Sequence, residues 1–193
     1  MNQEPLWSIF IGSALINNFV LAYFLGLCPF LGVSGRLVTA FRMGLAVTVV
    51  MIIAAVCGYG LRWLLAVLDA PYLSLISLIA VIASTVQVVE MAVRKFSPAL
   101  FRALGIFLPL MTTNCAILGS VLFQSNRGLG MVQSLVFAAG AGLGFTLALV
   151  LMAGLRERLG LAWTPDVVRG TALTLVIAGI LSMAFMGFSG RGG

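Results

Sequence analysis

Six long stretches without a charged residue constrain this chain more than any other feature of its sequence. They are 19 to 31 residues long and run 5–35, 43–61, 70–89, 103–126, 128–155 and 170–190. Because a helix needs about 20 mostly apolar residues to cross a bilayer, each stretch is long enough to span a membrane. Together they hold 143 of the 193 residues, so little of the chain remains outside the membrane. The sequence predicts one membrane domain over 1–193 and excludes a soluble globular fold.

The composition narrows the chemistry that this chain can perform. Hydrophobic residues make up 62% of the sequence, charged residues make up 8%, and histidine is absent. The usual general base and the commonest nitrogen ligand for metals are therefore missing. The connections are too short for a dinucleotide-binding unit, which argues against nucleotide chemistry. The net charge of +6 comes from Lys and Arg at the ends of apolar stretches, so we expect a bilayer and no nucleic acid as partner.

The distribution of basic residues predicts how the chain is oriented. Six helices are predicted at roughly 7–33, 43–62, 71–92, 100–123, 129–153 and 168–188. The first has neither a basic N-terminal region nor a small-x-small cleavage site, so we expect a permanent helix rather than a signal peptide. Loops one, three and five carry eight Lys or Arg residues, and the opposite face carries three. By the positive-inside rule, we expect loops one, three and five on the cytoplasmic side and both termini on the opposite side.

The two halves of the sequence resemble each other. At an offset of 97 residues, segment 8–22 pairs with segment 105–119. The identical positions are Ile9, Phe10, Asn17 and Leu21, which match Ile106, Phe107, Asn114 and Leu118. The match divides the chain into units of three helices, about 1–96 and 97–193. Because an odd number of helices reverses the side from which the second unit enters, the predicted fold is an all-α integral membrane protein with six transmembrane helices in two inverted three-helix repeats.

Helices one and four are predicted to be interrupted. The residues that disfavour a continuous helix are Asn17, Asn18, Gly26 and Pro29 in helix one, and Pro109, Thr112, Thr113 and Asn114 in helix four. Amides and freed carbonyls need partners in hydrocarbon, so such segments are expected where helices pack or line a polar cavity. Single kinks of this kind are ordinary, but paired interruptions in two halves are typical of a site near the membrane midplane.

Each interrupted helix contains one of the three cysteines. Cys28 lies in helix one and Cys115 in helix four, whereas Cys57 lies in helix two. A lone membrane cysteine is usually a small apolar filler, but thiolates also favour iron–sulfur clusters, zinc or Cu(I). Two thiols cannot complete a four-thiolate site, so ligation requires a second chain. It also requires broken helices, because straight helices would place Cys28 and Cys115 at different depths.

Glu90 is the one acidic residue near the end of a predicted span. A carboxylate in a membrane segment is a candidate for an ion pathway. Arg94 follows at i+4 on the basic side of the membrane, and we therefore interpret the pair as structural.

Seven motifs, spread nearly from end to end, make the chain resemble a known family. They are Asn17-Asn-Phe-Val-Leu21, Leu25-Gly-Leu-Cys-Pro-Phe-Leu-Gly-Val-Ser34, Val93-Arg-Lys-Phe-Ser-Pro98, Leu104-Gly-Ile-Phe-Leu-Pro-Leu110, Thr112-Thr-Asn-Cys-Ala116, Arg156-Glu-Arg-Leu159 and Ala184-Phe-Met-Gly-Phe-Ser-Gly190. The sequence resembles the family of A-type membrane subunits of the bacterial Rnf complex, an ion-translocating ferredoxin:NAD oxidoreductase. A near relative is the E-type subunit of the sodium-pumping NADH:quinone reductase, and Pro29 and Gly32 favour the Rnf family.

The resemblance implies a redox role for this membrane domain. It implies pairing with a homologous subunit of opposite orientation, the E-type subunit in the Rnf complex, and one intramembrane [2Fe–2S] cluster shared between the two. The implied ligands here are Cys28 and Cys115, with two more cysteines from the partner, and Cys57 matches no ligand. The expected function is electron relay between flavin- and iron–sulfur-bearing subunits, coupled to Na⁺ or H⁺ transport, with no bond-making catalytic residue in this chain.

Two questions stay open in the sequence. The first concerns four polar residues near the cysteines. They are expected either to donate hydrogen bonds to cluster sulfurs or only to bond the free backbone groups at the helix interruptions, and they are Asn18, Thr112, Thr113 and Asn114. Inverted repeats and broken helices are also typical of small secondary transporters, and a structural scaffold without a redox centre is a third alternative.

Overall fold

The computed structural model describes residues 5–67, 74–96, 114–160 and 170–189, and every regular element within these ranges is helical. In chain order the elements are α1 (Leu6–Ile11), a π-helical segment (Gly12–Ile16), α2 (Phe19–Tyr23), α3 (Leu27–Val33), α4 (Leu37–Val67), α5 (Ser74–Phe96), α6 (Cys115–Asn126), α7 (Met131–Gly160) and α8 (Thr171–Ser189). The predicted all-α class is confirmed over the part of the chain that is described.

Three of the described helices are long and apolar enough to cross a membrane. They are α4, the stretch Leu75–Ala92 of α5, and α7. Three shorter apolar helices are Leu6–Ile16, Cys115–Asn126 and Thr171–Gly187. The helical membrane character predicted from the sequence is thus confirmed. The complete six-span inverted repeat stays a prediction, because residues 97–113 lie outside the described ranges.

Helices α4 and α7 are longer than the spans predicted from charge. The predicted span 43–62 lies within α4, which runs Leu37–Val67 and contains Arg62. The predicted span 129–153 is likewise extended to Gly160 by α7. The arginines do not end these helices. The long side chain of an arginine can carry its charge to polar groups while the backbone of the same residue remains in the helix. The predicted spans that correspond to α5 and α8 agree with the structure to within four residues at each end.

Helices α4 and α7 form the centre of the molecule and cross at two glycines. A Cβ at Gly44 would lie 2.6 Å from Cγ2 of Thr146, and a Cβ at Gly142 would lie 2.7 Å from Cγ2 of Thr48. The two threonine hydroxyl oxygens are 3.3 Å apart. Each hydroxyl donates to the carbonyl oxygen four residues earlier on its own helix, at 2.8 Å. Small residues thus let the two backbones approach closely, as at other interfaces between membrane helices.

The contacts at this crossing are reciprocal. Thr48 and Thr146 are 98 residues apart, as are Gly44 and Gly142, so each helix presents the same Gly-x-x-x-Thr pattern to the other. Mutual contacts of this kind define an approximate two-fold relation. This relation is local to the crossing, and the inverted repeat of the whole chain stays a prediction.

The core around the crossing is apolar, and so is much of the outer surface. The largest fully buried side chains are Phe19, Phe30, Phe145, Leu21, Met43, Met51, Ile117, Leu149, Met152, Val20 and Val47. On the outside, Trp63 of α4, Ile76 of α5 and Met183 of α8 are each 66–68% exposed. Large exposed apolar surfaces are expected of a chain surrounded by lipid and apolar partners.

Candidate cofactor site

The first interruption separates the π-helical segment from α2. The side-chain oxygen of Asn18 accepts hydrogen bonds from the backbone N–H of Val20 at 3.1 Å and of Leu21 at 3.4 Å, so Asn18 is the N-cap of α2. Its amide nitrogen donates to the carbonyl oxygens of Gly144 at 2.7 Å and of Ala14 at 3.4 Å. The side chain thus supplies hydrogen bonds inside the protein, where a membrane provides no water to do so.

The broken segment packs directly on the backbones of other helices. A Cβ at Gly144 of α7 would lie 2.5 Å from the carbonyl oxygen of Ala14. The Ser182 hydroxyl of α8 donates to the carbonyl oxygen of Leu21 in α2 at 2.6 Å. The interrupted helix is therefore part of the packed core.

A second interruption lies between α2 and α3. Phe24 follows the last residue of α2 with φ 55°, and Gly26 precedes α3 with φ 79°. The left-handed region is uncommon for a bulky residue and ordinary for glycine. Cys28 is the second residue of α3, and its side chain is exposed. Pro29 follows in the first turn, where an N–H has no intrahelical partner to lose. The predicted interruption of helix one is confirmed at both places.

Helix α6 begins at Cys115 with the same kind of cap as α2. The side-chain oxygen of Asn114 accepts a hydrogen bond from the backbone N–H of Ala116 at 3.0 Å. The amide nitrogen of Asn114 is buried and has no hydrogen-bond partner among the described residues. The two capping residues, Asn18 and Asn114, are 96 residues apart. The sequence comparison instead pairs Asn114 with Asn17, so the structural correspondence is shifted by one residue.

The segment that precedes Cys28 packs against the start of α6. The backbone N–H of Gly26 donates to the sulfur of Cys115 at 2.9 Å. Beside it, Leu25 fills the space over Gly119, where a Cβ would lie 2.7 Å from Leu25 Cδ1. At about 3.8 Å per residue, the Cα atoms of Cys28 and Gly26 are at most about 7.6 Å apart. The structure therefore brings the two predicted ligands into one region, and both thiols are exposed at the surface of the chain.

The other residues singled out from the sequence take different places. Cys57 is half-buried and lines a groove between α4 and α5. Thr112 and Thr113, like the first part of the predicted fourth helix, lie outside the described residues. Glu90 and Arg94 lie at i and i+4 on α5, and their structural pairing stays a prediction.

Two arginines, Arg156 and Arg62, hold the ends of the helices that carry the cysteines, a role that the sequence did not predict for either. Arg156 of α7 donates to the carbonyl oxygen of Leu31 at 3.1 Å and to the hydroxyl of Ser34 at 2.7 Å, at the end of α3. Arg62 of α4 donates to the carbonyl oxygen of Gln124, in the last turn of α6, at 3.4 Å and to that of Leu129, just beyond α6, at 2.8 Å. A guanidinium at a helix C-terminus satisfies free carbonyls. In the sequence, this role was indicated only by the position of each arginine near the end of a long apolar stretch.

The described residues of this chain do not form a complete metal site. Over the described ranges, no group of three or more His, Cys, Asp or Glu side chains could hold a metal ion. Two exposed thiols provide half of a four-thiolate set. The Gly26 N–H that points at the Cys115 sulfur is the kind of donor that supports a metal-bound thiolate. Two thiols and a backbone donor thus fit an iron–sulfur cluster only where further ligands are added to them.

Long apolar helices and interrupted shorter ones around an apolar core define the class of this protein, a helical membrane protein. A family model described as "Rnf-Nqr subunit, membrane protein" matches residues 6–191. The chain belongs to this family of Rnf-Nqr membrane subunits.

Individual relatives agree with the family assignment. The chain is 54% identical over 183 residues to the A-type subunit of the ion-translocating oxidoreductase complex of Salmonella arizonae, and equally to that of Citrobacter koseri. Each match covers 94% of this chain and 95% of the relative. The resemblance to the A-type Rnf subunits, inferred from sequence motifs, is confirmed.

Proposed function

We propose that this chain is a membrane subunit of an ion-translocating oxidoreductase complex of the ferredoxin:NAD type. In this proposal it holds an intramembrane [2Fe–2S] cluster together with a homologous subunit. Its relatives carry the name of the A-type subunit of an ion-translocating oxidoreductase complex. The observation that carries the proposal is the hydrogen bond from the Gly26 N–H to the sulfur of Cys115, because it joins the segment before Cys28 to the second predicted ligand.

Cys28 and Cys115 are the proposed ligands from this chain. Both thiols are exposed, as a ligand shared with another chain must be. Cys115 is the first residue of α6, a helix of 12 residues, and its sulfur accepts the hydrogen bond from the Gly26 N–H. The buried amide nitrogen of Asn114, without a partner among the described residues, is available as a second donor beside Cys115.

When bound, a [2Fe–2S] cluster accepts one electron from a donor centre and passes it to an acceptor centre without breaking a bond. The side chains of this subunit keep water away from one side of the site. Ala116, Ile117 and Phe145 are at most 1% exposed. Charges and dipoles interact more strongly in such a medium than in water. The contribution of this chain is therefore ligation, positioning and insulation.

The proposal requires specific partners and a specific location. A homologous subunit of opposite orientation supplies the other two thiolates, and flavin- and iron–sulfur-bearing subunits on the two faces act as donor and acceptor. The location is a bacterial inner membrane, with both termini in the periplasm. Electron passage is coupled to Na⁺ or H⁺ transport through the change in charge within the low-dielectric core.

The proposal is tested on the intact complex purified in detergent. Iron and acid-labile sulfide are counted, and the EPR spectrum of the reduced complex is recorded, for the unmodified complex and for Cys28→Ser, Cys115→Ser and Cys57→Ser. Each of the first two changes is expected to remove the iron and the spectrum of this one cluster and to stop electron transfer through the membrane. Cys57→Ser is the matched control and is expected to change neither.

An unmodified spectrum in Cys28→Ser or Cys115→Ser would show that the ligand assignment is wrong. A complex in which no iron depends on these two cysteines would instead favour a secondary transporter or a scaffold.

A further inference from the structure

Gly26 occupies a position that strongly favours glycine. Its φ of 79° lies in a region that residues with a Cβ rarely adopt. A Cβ at Gly26 would lie 2.7 Å from the ring of Phe145 and 3.1 Å from both the Cβ of Ala116 and the side-chain oxygen of Asn114. The backbone of Gly26 is therefore in direct contact with the start of α6 and with α7.

This contact gives the Gly26 amide a fixed direction. Its N–H donates to the sulfur of Cys115 at 2.9 Å. On one side, the N–H of Leu25 donates to the carbonyl oxygen of Phe19 at 2.9 Å, and on the other, the N–H of Phe30 donates to the carbonyl oxygen of Gly26 at 3.2 Å. The donor is thus held by the backbone and not by a mobile side chain.

The two proposed ligands differ in this respect. Within the described residues, no hydrogen bond to the sulfur of Cys28 is present, whereas Cys115 has the Gly26 donor. The hydrogen bond is therefore a property of one particular ligand.

We infer that the backbone N–H of Gly26 is a built-in hydrogen-bond donor that raises the reduction potential of the cluster held by Cys115. The inference rests on the function proposed above. Gain of one electron from the donor centre increases the negative charge on the sulfur ligands, so an N–H dipole stabilises the reduced form more than the oxidised form. Exclusion of water strengthens this difference. Gly26 acts through Cys115 and is a positioning residue, not a ligand.

The test uses the intact complex from cells in which glycine carries ¹⁵N, with pulsed EPR of the reduced cluster. A glycine nitrogen coupled to the cluster is expected in the unmodified complex. In Gly26→Ala that coupling is expected to disappear, because the donor is no longer a glycine. The midpoint potential, measured by EPR titration, is expected to become more negative, because the new Cβ forces the backbone away from α6.

Gly35→Ala is the matched control. A Cβ at Gly35 would meet no heavy atom within 4 Å, so both the coupling and the potential are expected to stay unchanged. If Gly26→Ala does not assemble, the same change is combined with Phe145→Leu, which removes the ring that the new Cβ meets.

Three results would overturn the inference while leaving the proposed function intact. The first is a cluster spectrum of the unmodified complex that is intact but shows no glycine coupling. The second is a glycine coupling that persists in Gly26→Ala. The third is a midpoint potential that does not change in Gly26→Ala although the coupling is lost. The first of these needs no variant. Absence of the cluster spectrum in the unmodified complex would contradict the proposed function and, with it, the inference.

Discussion

Asn18 combines two structural tasks in one side chain. Its oxygen caps α2, and its nitrogen connects the broken helix to Gly144 of α7. These hydrogen bonds engage both ends of the Asn18 amide with backbone, as expected of a residue that satisfies a broken helix, and a role toward cluster sulfur is not tested by them. Asn114 repeats the cap at the start of α6 but keeps a free nitrogen among the described residues, so for Asn114 a role toward sulfur stays a prediction.

At the scale of the residue, Asn18→Ala is expected to destabilise the protein in detergent. The lost cap costs about 1 kcal/mol, and the lost hydrogen bond to Gly144 costs about 1 kcal/mol more. Asn17→Ala is the control, because the neighbouring Asn17 side chain forms no hydrogen bond with the described residues. Thermal unfolding monitored by size-exclusion chromatography compares the two. Equal melting temperatures would mean that the hydrogen bonds of Asn18 do not stabilise the break.

At the scale of the element, α3 and α6 are short helices whose ends are held by arginines from long ones. Helix α3 has 7 residues and α6 has 12. Isolated helices of this length are marginal in stability. Their order therefore depends on tertiary contacts such as those of Arg156 and Arg62, and through them the positions of Cys28 and Cys115 depend on the long helices.

Arg156→Ala is expected to loosen α3 without unfolding the chain. Hydrogen bonds to a charged group contribute about 1.5–3 kcal/mol, and about 1.4 kcal/mol corresponds to a factor of ten. Amide hydrogen exchange over residues 27–33 is therefore expected to become at least about tenfold faster. Arg158→Ala removes an equal charge from an exposed position on the same helix and is expected to leave this exchange unchanged. Similar exchange in both variants would show that Arg156 does not anchor α3.

At the scale of the whole molecule, the crossing of α4 and α7 connects the two halves of the chain. Gly44→Ala and Gly142→Ala each place a Cβ within 2.7 Å of a threonine on the facing helix. Overpacking of this kind costs about 1–3 kcal/mol, and because the contacts are reciprocal, the two costs are expected to be similar. Thermal unfolding in detergent measures both.

Gly154→Ala is the control for the crossing, because a Cβ at this position of α7 would meet no heavy atom within 4 Å. It is expected to be neutral or stabilising, since alanine favours a helix by about 1 kcal/mol over glycine. A Gly142→Ala variant as stable as Gly154→Ala would argue against close packing of the two halves.

Much of the candidate site could be predicted from the sequence, and the contacts that could not be predicted all join residues far apart in the chain. Cys28 and Cys115 are recognisable from local strings of residues, and the break in helix one follows from adjacent asparagines and a glycine. The Gly26 donor is a backbone group whose target is 89 residues away, and the partners of Arg156 are more than 120 residues away. No local pattern contains such contacts.

The sequence by itself determined that the chain is a helical membrane domain, because bilayer thickness and the cost of buried charge act on every residue of an apolar stretch. It also determined where helix one is interrupted. Only the tertiary structure decided that helices continue past their arginines, that Gly44 and Gly142 meet threonines across a reciprocal crossing, and that Cys115 lies beside the segment leading to Cys28. These features depend on which backbones approach closely, and close approach is a property of packed helices rather than of any one of them.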